Sequence, residues 1–335
     1  MKEERILILQ LFGAGDPTTQ EGNLVNPINV TTQTTMSPTM KTFYDTTLLE
    51  NAREEMIFSQ FAKKTPMKGN KVEWRKFNTF AKALTPLTEG VIPTGKTFGM
   101  TKIEGETTQH GDYVAVSDRL EMESYDDVIF GATEEMGATS GATFDTLTRN
   151  ILVAGNSVAY AGGKTSRSAL TNNDKITPAL VNKANTWLKK NKAPKFDGYY
   201  VAIIHPSVAE DLRESAEWKE FHKYNDVDPI FKGEIGVLHG IRFVECNEAK
   251  IWKGTGEGAV CQYATLFMGK DAFGELDPEG EGMEMIIKDK SQVGGPLNQF
   301  STIGYKFCHG AKILYQERIL RLETGSSYGS DDEAN

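Results

Sequence analysis

The sequence predicts an α+β fold in which a long β-hairpin and a long helix precede a second half that is rich in alternating strands and helices. Three observations support this class. Strand-like alternation runs from Lys71 to Asp118, and apolar residues then recur every three or four positions from Asp126 to Tyr160. From Ile176 onward, short apolar runs alternate with capped helices. Periods of two and of 3.6 residues are typical of strands and helices, respectively. A chain of 335 residues is long enough for two domains.

The composition is that of a folded, acidic protein, and it disfavours several classes of function. The chain is 39% hydrophobic and 25% charged, with a net charge of −9 at pH 7. This balance argues against a surface that binds nucleic acid by neutralising phosphates. No apolar run approaches the roughly 20 residues that span a bilayer. The run Arg5–Phe12 resembles a signal-peptide core, but it is short and follows Glu3 and Glu4, so we expect no export.

The cysteines and histidines form no recognisable catalytic or metal-binding motif. Cys246, Cys261 and Cys308 are odd in number and contain no Cys-x-x-Cys pair, so we expect reduced thiols in a cytosolic fold. His205 follows a buried strand, where active-site residues often lie, although capping of the next helix is the favoured interpretation. The seven-residue spacing of His239 and Cys246 points them to opposite faces of a strand. We predict no enzyme activity, cofactor or metal. The alternative is a hydrolase or metal enzyme that uses His205 or His239.

The hairpin between Lys71 and Asp118 has too few apolar residues for a core of its own. Its strands are predicted at Val72–Phe77 and Met100–His110, with a tip rich in Pro and Gly at Leu84–Gly99 and a turn at Gly111–Asp112. A two-stranded ribbon is at best marginally stable alone, so it must pack on something else. We expect another copy of the same protein to supply the surface on which the ribbon packs.

The aromatic and basic residues of the hairpin allow two interpretations. Trp74, Phe77 and Phe80 lie beside Lys71 and Lys76, a mixture that could stack on nucleic acid. On a β-ribbon such residues more often pack against a partner protein, because Trp, Phe and Arg are enriched in protein interfaces. We therefore predict an intersubunit contact made by Trp74, Arg75, Phe77, Phe80, Leu84 and Leu87.

Helices are predicted on both sides of the hairpin. Before it, a helix runs from Asp45 to Lys63, with Thr47 and Glu50 as a capping box and Pro66 as its stop. After it, the long helix from Asp126 to Tyr160 would measure roughly 50 Å.

The second half is predicted to be a βα-rich domain. Thr177 caps a helix that has Pro178 at its first position and runs to Lys190. The other predicted elements are buried strands at Tyr199–Ile204, Ile241–Glu245 and Ala264–Met268, a helix at Val208–Ser215, an acidic glycine-rich loop at Gly274–Gly282, long strands at Met283–Lys288 and Ser301–Arg321, and a mobile tail from Gly325 to Asn335.

Several segments, taken in order, resemble a known family. They are Thr47–Glu55, Val72–Phe77, Gln109–Asp118, Gly233–Gly236 and Gly240–Glu245. On these segments the chain resembles the major capsid protein of tailed phages, which has the Hong Kong 97 (HK-97) fold, and more closely the N-4-like phage coat subfamily. The resemblance spans residues 43–323.

The resemblance implies an HK-97-type capsid fold with an N-terminal arm, an extended β-hairpin called the E-loop, a peripheral domain that holds a long spine helix with a β-sheet, and an axial α/β domain. The implied boundaries are 1–64 for the arm and its helix, 65–117 for the E-loop, 118–175 with 290–323 for the peripheral domain, 176–289 for the axial domain and 324–335 for a mobile acidic tail.

The resemblance also implies a function. Subunits of this family form the pentamers and hexamers of an icosahedral shell that encloses the double-stranded DNA of a tailed phage or prophage without sequence-specific binding. The implied partners are further copies of the chain together with scaffolding and portal proteins, with no membrane. The implied location is the virion capsid, after synthesis and assembly in the host bacterial cytoplasm. The alternative with the same fold is an encapsulin-like compartment shell.

Overall fold

Strands make up much of the regular structure in the computed structural model. It describes residues 28–30, 56–69, 71–92, 95–123, 128–222, 234–254, 260–278, 282–293 and 297–335. The strands in these residues are, in chain order, β1 (Ile28–Val30), β2 (Lys63–Met67), β3 (Lys71–Phe77), β4 (Met100–Glu106), β5 (Thr108–Ser117), β6 (Val158–Tyr160), β7 (Tyr200–Ile204), β8 (Glu234–Leu238), β9 (Ile241–Glu245), β10 (Ile251–Trp252), β11 (Gln262–Met268), β12 (Phe273–Pro278), β13 (Glu284–Lys288), β14 (Phe300–His309), β15 (Ala311–Ile313) and β16 (Ile319–Thr324). The α-helices are α1 (Asp118–Glu123), α2 (Val128–Val153), α3 (Pro178–Lys190), α4 (Pro206–Arg213), α5 (Ala216–His222) and α6 (Lys290–Val293).

A mixed seven-stranded sheet forms the core of the second half of the described chain. Its strand order is β6-β16-β11-β7-β9-β8, and β10 pairs with β11 outside this path. All five residues of β7 are buried, as expected for a strand that is covered on both faces. Apolar residues of α3, α4 and α5 pack on one face of the sheet. The end of α2, together with Phe58 and Phe61, packs on the other face.

A smaller sheet, of order β1-β5-β14-β13, carries the long helix α2. β5 and β14 pair antiparallel over ten residues, from Thr108 opposite His309 to Ser117 opposite Phe300. Ile129 and Met136 of α2 join the buried cluster on this sheet. The helix therefore contacts both sheets, one near each of its ends.

The hairpin begins from a third sheet, of order β15-β12-β2, in which β2 runs parallel to β12. β3 and β4 form a separate two-stranded ribbon, paired from Lys71 opposite Glu106 to Phe77 opposite Met100. The residues between Phe77 and Met100 form the far end of the ribbon. β5, which the sequence placed in the same excursion, belongs instead to the sheet under α2.

Local sequence signals in the second half are confirmed. The Thr177 hydroxyl accepts a hydrogen bond from the backbone N–H of Leu180, and α3 starts at Pro178 and ends at Lys190. The buried strands near residues 200, 241 and 264 are present as β7, β9 and β11. His205 caps α4, because its side chain accepts from the backbone N–H of Ser207.

The long helix is shorter than predicted. α2 ends at Val153, and Val158–Tyr160 is a strand that runs parallel to β16. Just after the helix, the side-chain oxygen of Gln316 accepts a hydrogen bond from the backbone N–H of Asn156. Pairing with β16 satisfies backbone groups that a continued helix would also satisfy, so tertiary contacts decide between the two. At about 1.5 Å per residue, α2 measures about 39 Å.

The prediction of a first helix from Asp45 to Lys63 is wrong for the part of that range that the structure describes. Residues 45–55, which include its capping box, lie outside the described residues. The following residues form one 3₁₀ turn, Phe58–Phe61, and then β2, which contains both Lys63 and Pro66. β2 lies at the edge of its sheet, where a proline without an N–H is tolerated.

Two predicted glycine turns are strands. Gly111 and Asp112 lie inside β5, and Gly274 to Pro278 lie inside β12, whereas residues 279–281 lie outside the described residues. A Cβ on Gly111 would lie 2.5 Å from the backbone oxygen of Tyr305. The glycine therefore allows close approach of β14 and does not mark a turn.

The C-terminal residues are packed on their own chain, which corrects the prediction of a mobile tail. Ser326 is buried, and its hydroxyl donates to Asp211 at 2.8 Å. The Asp332 carboxylate accepts from the hydroxyls of Tyr263 and Ser207, both at 2.6 Å. These bonds hold residues 325–335 against α4 and β11.

Two glycine-to-alanine substitutions should change stability in opposite directions. Gly111→Ala should destabilise the subunit by about 1–3 kcal/mol, since the added methyl group meets the backbone of β14. Gly131→Ala, on an open side of α2, should stabilise it by about 0.5–1 kcal/mol, because alanine favours the helix. Chemical denaturation of both variants checks the prediction, which equal effects of the two substitutions would contradict.

Candidate assembly interface

Trp74 anchors the base of the β3–β4 ribbon on its own chain. Its indole N–H donates a hydrogen bond to the Thr65 hydroxyl at 3.2 Å. Its ring lies over two glycines, because a Cβ would be 2.6 Å from the ring on Gly105 and 3.0 Å from it on Gly274. Glycine allows the backbone to approach a ring this closely. The described contacts of Trp74 are therefore contacts within the subunit.

Lys76 adds a second anchor on the same face of the ribbon. Its ammonium lies 3.3 Å from the Glu317 carboxylate and 4.5 Å from the centroid of the Tyr315 ring. The 3₁₀ turn that contains Glu317 immediately precedes β16. The ribbon is thus joined to the strand that runs through the large sheet.

The opposite face of the ribbon is charged and exposed. Arg75, a predicted interface residue, donates to Glu73 at 2.9 Å, and Lys102 bridges Glu73 and Glu104 at 2.8 and 2.6 Å. The hydrogen bond from Lys102, followed by that from Arg75, lowers the pKa of Glu73. Exposed pairs of this kind stabilise little, so this face is well hydrated and does not need a protein partner.

The far end of the ribbon exposes a concentration of apolar side chains. Leu84 is 84% exposed and Ile92 is 94% exposed. The Phe98 ring lies 4.8 Å from the Phe77 ring and 5.9 Å from the Phe80 ring, between centroids, yet all three remain largely exposed. We call this surface the apolar tip; its members are Phe77, Phe80, Leu84, Leu87, Val91, Ile92, Phe98 and Met100. Contiguous exposed apolar surface usually marks an interaction site.

A groove of about 490 Å³ lies on the sheet that carries α2. It combines apolar and ring surface from Tyr113 and Ile286 with the charged groups of Asp112, Lys288 and Lys306. Tyr113 is half exposed. Apolar and ring surface beside charged groups is a combination found in protein interfaces.

A buried carboxylate attaches α2 to the segment that leads into the ribbon. Asp145 is 1% exposed and accepts hydrogen bonds from the backbone N–H groups of Ile57 and Phe58, at 2.9 and 3.0 Å. Burial raises the pKa of Asp145 to about 7, and the backbone hydrogen bonds partly offset this effect. Beside it, buried Glu275 accepts from the Ser59 hydroxyl at 2.8 Å, and burial raises its pKa as well.

Arg149, one turn along α2 from Asp145, is also buried. Its guanidinium donates to the backbone oxygen of Glu248 at 2.6 Å and to the side-chain oxygen of Asn150 at 3.3 Å. Burial lowers the pKa of Arg149 and raises the pKa of the neighbouring Cys246 thiol to about 12. The thiol therefore stays protonated and packs as an apolar group.

Two histidines, His205 and His309, make hydrogen bonds within the subunit. The Nε2 atom of buried His309 lies 2.9 Å from the Thr148 hydroxyl, and burial lowers the pKa of His309 to about 4. Burial also lowers the pKa of His205, which caps α4. His239 lies in the turn between β8 and β9, with positive φ. Within the described ranges, no three His, Cys, Asp or Glu side chains are placed to hold a metal ion.

The structure separates the six residues that the sequence grouped as one contact. Phe77, Phe80, Leu84 and Leu87 share the apolar tip, whereas Trp74 faces its own chain and Arg75 the charged surface. Val91, Ile92, Phe98 and Met100 were missed, although they lie in or beside the predicted Pro- and Gly-rich tip. Asp145 and Arg149 were also missed, because a polar residue in an amphipathic helix gives no local sign of burial.

Comparisons with known proteins point to phage capsids. Residues 117–276 match the model of a family described as phage capsid protein. The capsid of the cyanophage P-SCSP1u is 15% identical, with a TM-score of 0.60 over 92% of this chain and 93% of that chain. The capsid of Ralstonia phage GP4 is 15% identical, with a TM-score of 0.63 over 95% and 97% of the two chains.

A third solved structure with this fold is a virus-like particle from Pyrococcus furiosus. It is 9% identical, with a TM-score of 0.51 over 84% of this chain and 99% of that chain. A comparison with curated protein sequences finds no match. Among the described helices, none has the length and apolar character needed to cross a membrane. The chain thus has the mixed helix-and-sheet fold of phage capsid subunits.

The buried carboxylate should make stability depend on pH. The folded-state pKa of Asp145, about 7, exceeds its ordinary value of 3.8. Its contribution to the free energy of unfolding is therefore largest below about pH 4 and falls as the pH rises to about 7. Relative to the wild type, Asp145→Asn should therefore gain stability between pH 5 and pH 7, by up to about 1.4 kcal/mol per pH unit.

Denaturation of the wild type and of Asp145→Asn at several pH values measures this difference. Asp197→Asn, which removes an exposed carboxylate outside this cluster, is the control and should leave the pH dependence of the wild type unchanged. A constant difference between Asp145→Asn and the wild type across this range would mean that Asp145 remains ionised in the folded state.

Proposed function

We propose that this protein is the major capsid protein of a tailed bacteriophage or prophage and that it assembles into an icosahedral shell around double-stranded DNA. The apolar tip carries the proposal, because its side chains remain exposed in the subunit and need a neighbour to cover them. The phage-capsid match over residues 117–276 and the fold shared with two phage capsids support it. The same findings favour a structural role over catalysis.

Within this proposal, each part of the fold has a role in the shell. The ribbon and its apolar tip are the E-loop, and α2 is the spine helix of a peripheral domain built on the sheet β1-β5-β14-β13. The seven-stranded sheet is the axial domain, and it also takes in β6 and β16 from outside 176–289. The segments Val72–Phe77 and Gln109–Asp118 support assignment to the N-4-like coat subfamily.

Assembly would follow from the two surfaces described above. The apolar tip of one subunit would lie on the groove beside Tyr113 and Ile286 of the next. Two different surfaces then meet, and repeated contacts of this heterologous kind close into rings. Pentamers and hexamers would be such rings, with scaffolding and portal proteins as further partners. A net charge of −9 per subunit would keep the shell from binding its DNA tightly.

The fold shared with a virus-like particle keeps a second candidate, an encapsulin-like compartment shell. Both candidates predict closed particles of this chain. They differ in contents, because a phage shell takes up double-stranded DNA and a compartment takes up protein. Nuclease-protected DNA in particles recovered from phage-producing cells would decide for the phage shell.

The expressed protein should form regular closed shells. Electron microscopy of purified material, with sedimentation analysis alongside, should show icosahedral particles that contain five- and six-membered rings of subunits. Assembly trials with a scaffolding protein of the same genome extend the measurement. A compact monomer under all of these conditions would overturn the proposed function.

Replacing the apolar tip should separate folding from assembly. Leu84→Ser with Leu87→Ser and Ile92→Ser removes the anchors that a neighbour would bury, each worth about 1.5–3 kcal/mol when fully buried. The variant should unfold at the wild-type denaturant concentration and yield few or no particles.

A matched control changes polar residues of the same tip, Thr85→Ser and Glu89→Gln, and should assemble normally. Loss of folding in the apolar variant would instead place the tip in the core of its own subunit. Normal assembly of that variant would remove the tip from the interface.

A further inference from the structure

The helix α3 carries a basic surface in an acidic protein. Residues 176–196 contain five lysines and no Asp or Glu, although the whole chain has a net charge of −9. Lys183 and Lys190 are exposed, and neither ammonium pairs with a carboxylate among the described residues. An unpaired group of like charges is free to bind an acidic partner.

These lysines border a groove on one side of α3. The groove has a volume of about 450 Å³ and is lined by Ala179, Asn182, Lys183, Thr186, Trp187 and Lys190. We call this surface the basic flank. Small residues and a half-buried tryptophan lie between the two lysines, so the surface offers both packing and charge.

The direction in which the basic flank faces follows from helix geometry. Asn185, on the inner side of α3, donates to the backbone oxygen of His239 in the β8–β9 turn. At 100° per residue, Lys183 and Lys190 lie roughly 150° around the helix from Asn185. The basic flank therefore faces away from the β8–β9 side of the seven-stranded sheet.

An acidic surface lies on the β8–β9 side of the same sheet face. The Trp218 ring of α5 packs at 5.8 Å from the Phe243 ring of β9, and Glu217 lies 3.8 Å from His239. Glu214, Glu217 and Glu220 are exposed and three residues apart. We call these three residues the acidic flank. Lys219 also lies on α5, and the flank remains net acidic.

We propose that the basic flank of one subunit binds the acidic flank of the next copy of this chain within a capsomer. The inference rests on the proposed function and adds the charge pairing that orders neighbouring axial domains. Helices α3 and α5 pack on one sheet face, so the two flanks are held at a fixed separation by a common core. A basic side that meets an acidic side repeats head to tail and closes into a ring.

Charge complementarity selects a second copy over DNA as the occupant. The chain itself supplies an exposed acidic surface, whereas DNA would leave the acidic flank without a partner. Flank pairing also sets direction, since two basic flanks or two acidic flanks repel each other. Repulsion of this kind excludes wrong arrangements more strongly than a correct rim pair adds affinity.

Charge exchange between the flanks tests the proposal. Lys183→Glu with Lys190→Glu makes both flanks acidic and should lower the particle yield by at least about tenfold. Glu214→Lys with Glu220→Lys makes both flanks basic and should do the same. All four substitutions together keep the net charge of −9 and should return the yield to within about twofold of the wild type.

Sedimentation and electron microscopy measure the yield, and thermal unfolding confirms that each subunit is folded. Lys183→Gln with Lys190→Gln is a milder variant and should give an intermediate yield. Wild-type yields in the reversed variants, or a folded fourfold variant that does not assemble, would overturn the proposal. Normal particles with less DNA in the Lys-to-Glu variant would also overturn it, in favour of phosphate binding. Failure of the wild type to form particles would instead contradict the proposed function.

Discussion

The carboxylate of Asp145 joins parts of the chain that are far apart in sequence. It lies on α2 and holds the backbone of Ile57 and Phe58, just before the chain enters β2. β2 then pairs with β12, and the ribbon follows after β2. Glu275 of β12 binds Ser59 in the same buried region. The position of the ribbon relative to the long helix therefore depends on this small polar cluster together with the contacts of Trp74 and Lys76.

Charge is distributed differently inside and outside the subunit. Inside, Asp145, Glu275 and Arg149 are hydrogen-bonded to backbone groups, the Ser59 hydroxyl and the Asn150 side chain. Burial shifts the pKa of each in the direction that favours its neutral form. Such groups cost free energy unless they are hydrogen-bonded, so they specify geometry more than they add stability. Outside, the charged groups of the ribbon are exposed to solvent, and Arg75 and Lys102 pair with neighbouring carboxylates.

The elements that were predictable from sequence are those specified by neighbouring residues. Thr177 with Pro178 marks a helix start, and the apolar run of β7 marks a buried strand, because each signal lies within a few positions. Gly111 and Gly274 mislead for the opposite reason. Their role depends on Tyr305 and on Trp74, which are distant in sequence, and a glycine suggests a turn when such neighbours are unknown.

The residues of the candidate interface show the same difference between local signals and contacts with distant residues. Exposed apolar residues at the tip were partly predictable, since a ribbon without a core must expose or share its apolar groups. The separation of Trp74 from Phe77 required the structure, because the period of two in a twisted ribbon does not show which face meets its own subunit. The packed C-terminal residues also depend on distant partners, namely Ser207 and Tyr263.

The two glycines that pack against Trp74 affect the angle between the ribbon and the rest of the subunit. They let the ribbon lie close to β12, so they set its angle to the body of the subunit. The strand from Lys71 to Phe77 is about 24 Å long at 3.4 Å per residue, and a small tilt at its base becomes a displacement of several ångströms at its end. The ribbon therefore acts as a lever arm. If the apolar tip contacts a neighbouring subunit as proposed, this displacement would reach that neighbour, and one methyl group at Gly105 or Gly274 would change the angle between the two subunits.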